Sequence, residues 1–375
     1  MLKKNINLLL LIGILLAVCC THEREVAPNN TGKRTLLVYL AGDNDLSSEV
    51  SEKKRSLLDG WTPKLGQLLV FSDTYSGTPV LTQAARHNGK SVWDTLRVYS
   101  ETNSASPQLL REVIGDTRQF APASSYGMIL FSHATGWLPQ GAFNNPLAWH
   151  PQATRSLLKD GTREMELSDF KDAVPDGMFD FMVFDMCFMA GVEAAYALRG
   201  KTPFMVASAT EILSPGFTPV YSTHLSSLYR SEADLKTFAG AFFDYFDAQE
   251  GQYRSATVSV IRTAETEPLV QLIKELSPDL TQTEIDGIQH FDRKGKPHLF
   301  FDLGDFLHAA AKTDSRHHQI DDALGRAVVF KNQTSRLISI GILKHSGLSV
   351  YIPQEGLDKL NEAYKDTDFY RNCQR

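Results

Sequence analysis

Two residues with the chemistry for covalent catalysis each stand at the end of an apolar run. Cys187 follows Phe179-Asp180-Phe181-Met182-Val183-Phe184-Asp185-Met186, and His133 follows Tyr126-Gly127-Met128-Ile129-Leu130-Phe131-Ser132. A thiolate is a strong nucleophile, and an imidazole titrates near neutrality, so together they could cleave an acyl bond: sulfur attacks a carbonyl and imidazole protonates the leaving group. Nearly unbroken apolar runs read as strands buried on both faces, the pattern of a parallel sheet covered by helices. In such a sheet the carboxyl ends of the strands share one edge, where ligands bind. The stretch after Cys187, Gly191-Val192-Glu193-Ala194-Ala195-Tyr196-Ala197-Leu198-Arg199, has helical composition. A thiol beside that helix start is expected to feel the dipole and to favour thiolate. Taken alone, Cys187 reads as a small buried hydrophobe more readily than as a nucleophile.

The elements that must position these residues follow in an alternating order. Thr35 to Ala41 is a buried strand, and the turn Gly42-Asp43-Asn44-Asp45-Leu46 leads into a helix through Leu58. Asn44 or Asp45 is expected to cap that helix; the Asp-Asn-Asp cluster could alternatively touch a cation. Leu68 to Phe71 is a second strand. Val80–Arg86 and Val92–Tyr99 flank Asn88-Gly89, a hairpin signal that interrupts the βα alternation. Pro107 opens a helix through Phe120. Residues 138–163, rich in Pro, Asn, Gln and Gly, read as a long surface loop. Pro203 to Ser208 is a further strand, so its following loop, Ser208 to Phe217, joins His133 and Cys187 on one edge. Beyond it, helices are expected at 235–246, 267–276 and 303–311 and strands at 256–261 and 299–301. Ala323 to Val329 reads as helix or strand, and 337–343 with 347–353 as a strand pair.

The first residues are of another kind. Lys3 and Lys4 precede the apolar run Leu8 to Val18, too short for a comfortable membrane span, which marks an export signal over residues 1–20. Leu16-Ala17-Val18-Cys19 resembles a bacterial lipobox, with Cys19, or Cys20, as the lipidated anchor; a cleaved signal without lipid is the alternative. Residues 21–33 read as a tether. The mature chain would therefore be exported to the bacterial cell envelope and held to a membrane by lipid. Of the four cysteines, two lie in the signal and Cys373 lies near the end, which leaves Cys187 with no disulfide partner in the body of the fold. A net charge of −6 and the lack of a basic stripe give no reason to expect nucleic acid.

Four stretches together resemble the clostripain-like cysteine peptidases, of the clan that holds caspases, legumains and gingipains: Leu40-Ala41-Gly42-Asp43-Asn44-Asp45-Leu46, Phe131-Ser132-His133-Ala134-Thr135-Gly136-Trp137, Phe184-Asp185-Met186-Cys187-Phe188-Met189-Ala190 and Ser346 to Pro353. The resemblance implies an α/β fold, a caspase-like α/β/α sandwich with a central, mostly parallel sheet and a C-terminal α/β extension packed on it. A peptidase domain would span 34–353 (core 34–230, C-terminal part 231–353), followed by a tail over 354–375. Position by position, Cys187 is the nucleophile and His133 the general acid and base, and the backbone N–H groups of Ala134 and Cys187 form the oxyanion hole. The family usually has glycine where Ala134 stands. Asp185 would line a pocket for a substrate Arg or Lys with Ser208 and Glu211, Glu211 being the only carboxylate of the 210–217 loop. The partner is then a protein or peptide substrate. No cofactor is implied, although some relatives need calcium, and some mature by cutting themselves in an internal loop, for which Arg155, Lys159 and Arg163 are candidates here. The competing reading is a catalytically inactive surface lipoprotein on the same scaffold that binds proteins or peptides. A serine or metal hydrolase finds no G-x-S-x-G or H-E-x-x-H motif.

Overall fold

The computed structural model describes residues 34–100, 103–150, 157–311 and 313–374. The expected export signal, the tether, Cys19, Cys20 and Arg155 lie outside the described residues. In chain order the elements are β1 (Arg34–Gly42), α1 (Ser47–Gly60), β2 (Gln67–Thr74), β3 (Val80–His87), β4 (Lys90–Val98), α2 (Pro107–Phe120), β5 (Ser125–Phe131), β6 (Lys159–Asp160), β7 (Arg163–Glu164), α3 (Leu167–Ala173), β8 (Phe179–Asp185), α4 (Val192–Ala197) and β9 (Phe204–Ala207). They continue with α5 (Thr218–His224), α6 (Leu235–Asp247), β10 (Thr257–Arg262), α7 (Thr266–Leu276), α8 (Gln282–Asp286), β11 (Phe301–Asp302), α9 (Leu303–Ala310), α10 (Asp314–Ala327), β12 (Val328–Gln333), β13 (Arg336–Leu337), β14 (Ile340–Gly341), β15 (Ser349–Val350), α11 (Asp358–Lys365) and α12 (Asp368–Gln374).

Nine strands form one sheet in the order β12-β10-β9-β8-β5-β1-β2-β3-β4. The five central strands β9, β8, β5, β1 and β2 are mutually parallel, and antiparallel pairs flank them on both sides. Every residue of β1 is buried, which is why its run lacks polar alternation. Successive side chains still point to opposite faces. Leu37, Tyr39, Leu69, Met128, Leu130, Met182 and Phe184 pack with helices α2, α3, α4, α7 and α9 to α12. Leu36, Val38, Leu40, Val70, Ile129, Phe131 and Val183 pack with α1, α5 and α6 on the other face. The result is the expected three-layer α/β/α sandwich with a mostly parallel centre. The Asn88-Gly89 turn closes the β3–β4 hairpin, both residues having positive φ (50° and 78°).

Four local expectations change. The segment 337–343 does not pair with 347–353: β13 and β14 make their own hairpin, while β15 pairs with β11, and Ser349 N–H donates to Ala190 O at 2.9 Å. The apolar run 323–329 is divided, with helix to Ala327 and strand from Val328, so that β12 covers the edge of β10. Residues 138–163 are not simply a surface loop, because Leu138, Ala142, Trp149, Leu157 and Leu158 are buried and the Trp149 indole N–H donates to Gln140 O at 2.9 Å. The expected tail folds as α11 and α12, whose Leu360, Tyr364, Phe369 and Cys373 enter the same core as α4.

Candidate active site

The position of the two reactive residues follows from strand register. β5 and β8 are neighbours in parallel register, with Phe131 opposite Asp185. His133 and Cys187 each lie two positions further along, so they leave the sheet side by side, on strands spaced about 4.8 Å apart. On the other side of β5 lies β1, and the turn after it brings Asp45 to the histidine: His133 Nε2 is 2.7 Å from Asp45 Oδ1. Three adjacent strand ends thus supply acid, imidazole and thiol. The hydrogen bond from His133 lowers the Asp45 carboxyl below its ordinary range, so a carboxylate faces the ring. With Nε2–H donating to that carboxylate, Nδ1 is the nitrogen left to carry a lone pair.

Asn44 or Asp45 is the expected helix cap, and the reason Asp45 is free for His133 is local. Asn44 does the turn's work instead: its Oδ1 accepts from Leu46 N–H at 2.9 Å, and its Nδ2 donates to Ala41 O at 3.1 Å and Lys159 O at 2.7 Å. The helix α1 itself has no side-chain cap. The signal that would have revealed Asp45 is the adjacency of β1 and β5, which the order of residues along the chain does not contain.

Cys187 departs from the expected thiolate. Its sulfur accepts from Ile212 N–H at 3.4 Å and lies 4.0 Å from Ile212 O, so the 210–213 segment lies across it. Cys187 is half-buried, and the desolvation it does undergo pushes the thiol up to about 12, partly offset by the Ile212 N–H; Glu211 and Asp185 raise it further and Arg293 lowers it. The helix dipole does not compensate, because α4 begins only at Val192 and is six residues long. Among the described residues no hydrogen bond joins the thiol to the imidazole. The next residue, Phe188, sits at φ +58°, a conformation costing about 1–3 kcal/mol for a non-glycine. It is held there by Phe188 N–H donating to Thr210 O at 3.0 Å and by its ring stacking on Phe300 at 4.2 Å. Ala134, by contrast, is not among the positive-φ residues, the left-handed position in this loop being Gly136, so the alanine costs the backbone nothing here. Neither the Ala134 nor the Cys187 backbone N–H makes a hydrogen bond among the described residues.

The expected pocket residues fall differently. Asp185 is buried in the layer beneath the site, where it accepts from Lys53 Nζ at 2.6 Å, Tyr221 Oη at 3.0 Å and Phe217 N–H at 3.2 Å. Lys53 is itself fully buried, with further bonds to Pro215 O and Thr218 Oγ1 at 3.1 Å each. An incoming guanidinium would have to displace that ammonium, so the carboxylate belongs to the scaffold and not to an open pocket. It also fixes the 213–217 turn: Gly216 is at φ +60°, and a Cβ there would meet Asp185 Oδ1 at 2.2 Å. Ser208 is likewise buried, its hydroxyl bonded to Thr257 at 2.8 Å and Thr210 at 3.2 Å, which makes it a strap for the loop. Glu211 alone lies at the rim, paired with Arg293 Nε at 2.5 Å. Asp292 braces the loop that carries Arg293, accepting from Leu299 N–H at 2.9 Å, Phe300 N–H at 3.3 Å and His298 Nδ1 at 3.0 Å. Glu211, Arg293 and Ile212 form a latch over the sulfur. Sequence reading missed Arg293, which is far along the chain and in no motif.

This sandwich, with a thiol and an imidazole leaving neighbouring strands, is the architecture of a caspase-like cysteine peptidase. A family model described as the clostripain family matches residues 38–331, and the chain belongs to that family. It is similar to an inactive zymogen C11 protease from Parabacteroides distasonis, at 31% identity over 92% of this chain and 99% of that one, with a TM-score of 0.78. A secreted C11 cysteine protease from Bacteroides thetaiotaomicron in complex with an irreversible peptide inhibitor matches at 25% identity over 91% and 99%, with a TM-score of 0.76. A further secreted C11 cysteine protease from that organism, iotapain, shares the fold at 20% identity over 91% and 99%, with a TM-score of 0.79. No curated protein matches the sequence. The chain is a cysteine-type peptidase, a hydrolase.

Proposed function

We propose that Cys187 and His133 form a catalytic dyad that cleaves peptide bonds within protein or peptide substrates. The observation that carries this reading is the β5–β8 register, which sends both residues off one edge of the sheet at the same height. Asp45 orients the imidazole through Nε2, so that Nδ1 accepts the thiol proton as sulfur attacks and returns it to the leaving amine. The Ala134 and Cys187 N–H groups supply the donors for the tetrahedral oxyanion. A basic substrate residue would be met by Glu211, since Asp185 is neutralised by Lys53.

The protonated thiol under Ile212 belongs to a resting form. Substrate entry then requires the 210–213 segment to withdraw, with the Glu211–Arg293 pair breaking as it goes. The relative from Parabacteroides distasonis is described as an inactive zymogen, which is compatible with a resting form here. Self-cleavage at Lys159 is disfavoured in this form, because its N–H donates to Ser132 Oγ at 3.0 Å and its carbonyl accepts from Asn44. Arg163 is exposed and remains the candidate among the described residues. The function is further proposed to be exercised outside the cytoplasm, with Cys19 or Cys20 lipidated in the cell envelope.

The covered sulfur also favours a second reading, a protein on this scaffold that binds peptides with little or no turnover. The two separate on labelling with acyloxymethyl-ketone probes carrying Arg or Lys, beside Cys187→Ala. Labelling lost in the alanine variant supports the dyad. Labelling that survives it, or a wild type that reacts with no probe at any substrate side chain tried, removes the peptidase mechanism. Detergent partitioning of Cys19→Ala, Cys20→Ala and the double variant tests the anchor: retention of the double variant in the membrane phase rules out acylation there.

A further inference from the structure

The loop that carries Arg293 holds a cluster of donors apart from the dyad. His290, Asp292 and His298 each offer one ligand atom, and these atoms all lie within 4.8 Å of one another. Asp292 is fully buried, and among the described residues its ion-pair partner is His298, not a lysine or arginine. Its Oδ2 accepts from Leu299 N–H and Phe300 N–H, which fixes the carboxylate and leaves Oδ1 facing His298 Nδ1 at 3.0 Å. His290 Nδ1 lies 3.0 Å from Asp292 O; a carbonyl only accepts, so Nδ1 carries the proton and Nε2 the lone pair. The two imidazoles stack with centroids 3.5 Å apart and planes 10° from parallel, and both are half-buried, within reach of solvent. Gln354 Nε2 donates to His298 O at 2.8 Å and ties the far side of the loop to the body of the fold.

We propose that His290, His298 and Asp292 bind one divalent transition-metal ion, zinc by the chemistry of the donors. Two imidazoles with one carboxylate suit zinc, whereas calcium and magnesium take oxygen ligands. Zinc bonds to nitrogen and oxygen of about 2.0–2.2 Å put two donors of one tetrahedral ion roughly 3.3 Å apart. The 3.0 Å between His298 Nδ1 and Asp292 Oδ1 is already near that spacing, so the ion takes the place of the proton between them, which leaves to solvent. His290 closes the third side, and water would fill the fourth position. The N–H groups on Asp292 Oδ2 and the carbonyl on His290 Nδ1 are the outer bonds that hold metal ligands in place. Lys296, whose charge bears on His290, is paired with Asp286.

The place of the loop gives the ion a consequence. Arg293 follows Asp292 directly and pairs with Glu211, the neighbour of the Ile212 that lies over the Cys187 sulfur. Phe300, whose N–H donates to Asp292, stacks on Phe188, the neighbour of Cys187. An ion that fixes Asp292 therefore holds the latch shut and slows its withdrawal, without touching the thiol or the imidazole of the dyad. This last consequence rests on the dyad reading; the binding itself does not.

The binding test uses the Cys187→Ala protein, so that the catalytic sulfur cannot hold the metal. After stripping with chelator, its thermal midpoint is followed against added zinc chloride, nickel chloride or calcium chloride. The expected result is a saturable rise of about 4 °C at zinc a hundredfold above its dissociation constant, with no comparable response to calcium. His290→Asn and His298→Asn, which each keep an amide where Nδ1 stood, are expected to lose the zinc increment. A midpoint that zinc and nickel both move by less than about 1 °C means the rings only stack and share hydrogen bonds, and overturns the proposal. So does an increment that survives in both variants, which places the ion elsewhere, or one that calcium reproduces; a response to nickel alone overturns the assignment to zinc. The latch is read in the native protein by iodoacetamide alkylation of Cys187, which needs no turnover. Zinc is expected to slow it at least about threefold, and His298→Asn to abolish that protection. Equal protection in the variant puts zinc on the thiol, and an unchanged rate means the latch opens with metal bound; either overturns the consequence for the latch, while the midpoint still judges the site.

Discussion

Asp185→Asn separates a substrate-pocket carboxylate from a scaffold carboxylate. In the native site one Oδ2 takes both Lys53 and Tyr221, and Oδ1 takes Phe217 N–H. An asparagine has one acceptor oxygen for the three donors, and its amide N–H₂ must face one of them. The Lys53 ammonium keeps Pro215 O, Thr218 Oγ1, Glu49 at 3.9 Å and the Phe131 ring at 4.1 Å, so its isolation is incomplete. Removing one partner of a buried pair costs about 3–5 kcal/mol, and this residual support places the loss near 3 kcal/mol. With an unfolding entropy of about 2.1 cal/mol/K per residue over roughly 340 residues, that is a fall in melting midpoint of about 4 °C. Differential scanning calorimetry of the Cys187→Ala background reads the midpoint, and a substrate library varied at the residue before the scissile bond reads preference in the active background. The expected outcome is a lowered midpoint with the order of preferred side chains unchanged. A midpoint within 1 °C of the parent, together with a lost preference for Arg or Lys, would refute the reasoning and return Asp185 to the pocket.

The thiol offers a kinetic test: at pH 7 a group near 12 is ionised about one part in 10⁵, against about one in 30 for a free cysteine, so iodoacetamide alkylation of Cys187 should be slower by some three orders of magnitude. It should rise about tenfold per pH unit through pH 9, and a plateau below pH 9, followed by intact mass, counts against the covered thiol. Asp45→Ala should lower kcat about 10- to 100-fold through misplacement of the imidazole and leave KM within twofold, in steady-state assays of the activated enzyme; a change confined to KM would make Asp45 a substrate contact. Glu193, buried where Tyr351 N–H and the Tyr364 hydroxyl bond it, is pushed up to about 7, chiefly by burial. Its folded pKa exceeds its unfolded one, so the stability it contributes is complete below about pH 4.5 and is lost as pH rises through 7. Glu193→Gln should therefore raise stability at pH 8 by up to about 3 kcal/mol and flatten denaturant midpoints between pH 5 and 8, and an unchanged slope would show that Glu193 does not titrate there.

The central strands were legible because burial on both faces leaves an unbroken apolar run, and β1, β5 and β8 could be placed from that signal alone. Placing His133 and Cys187 together needed only that such strands be parallel. What escaped was lateral. Asp45 reaches His133 because β1 lies beside β5, and Lys53 reaches Asp185 because α1, packed on β1 and α5, lies on the face of the sheet toward which Asp185 points. Neither relation is written in local propensity. The dipole argument for Cys187 failed on a matter of length, since α4 is short and starts late, while a neighbouring loop supplied the burial that decides the ionisation. The segment 138–163 read as a polar loop and 354–375 as a tail, yet Leu138, Trp149, Leu157, Leu158, Leu360, Tyr364 and Phe369 are taken up by the core. Arg293 was invisible because its partner is set by how two loops meet.

The interior location of β8 constrains how such an enzyme could be armed. With hydrogen-bonded neighbours on both sides and a helical layer on each face, the strand offers the reactive atom no travel. Dormancy and readiness must then differ in the coverings and not in the mount, so a few residues of surface chain can be lengthened, cut or re-paired to retune the trigger while the anvil beneath keeps its shape.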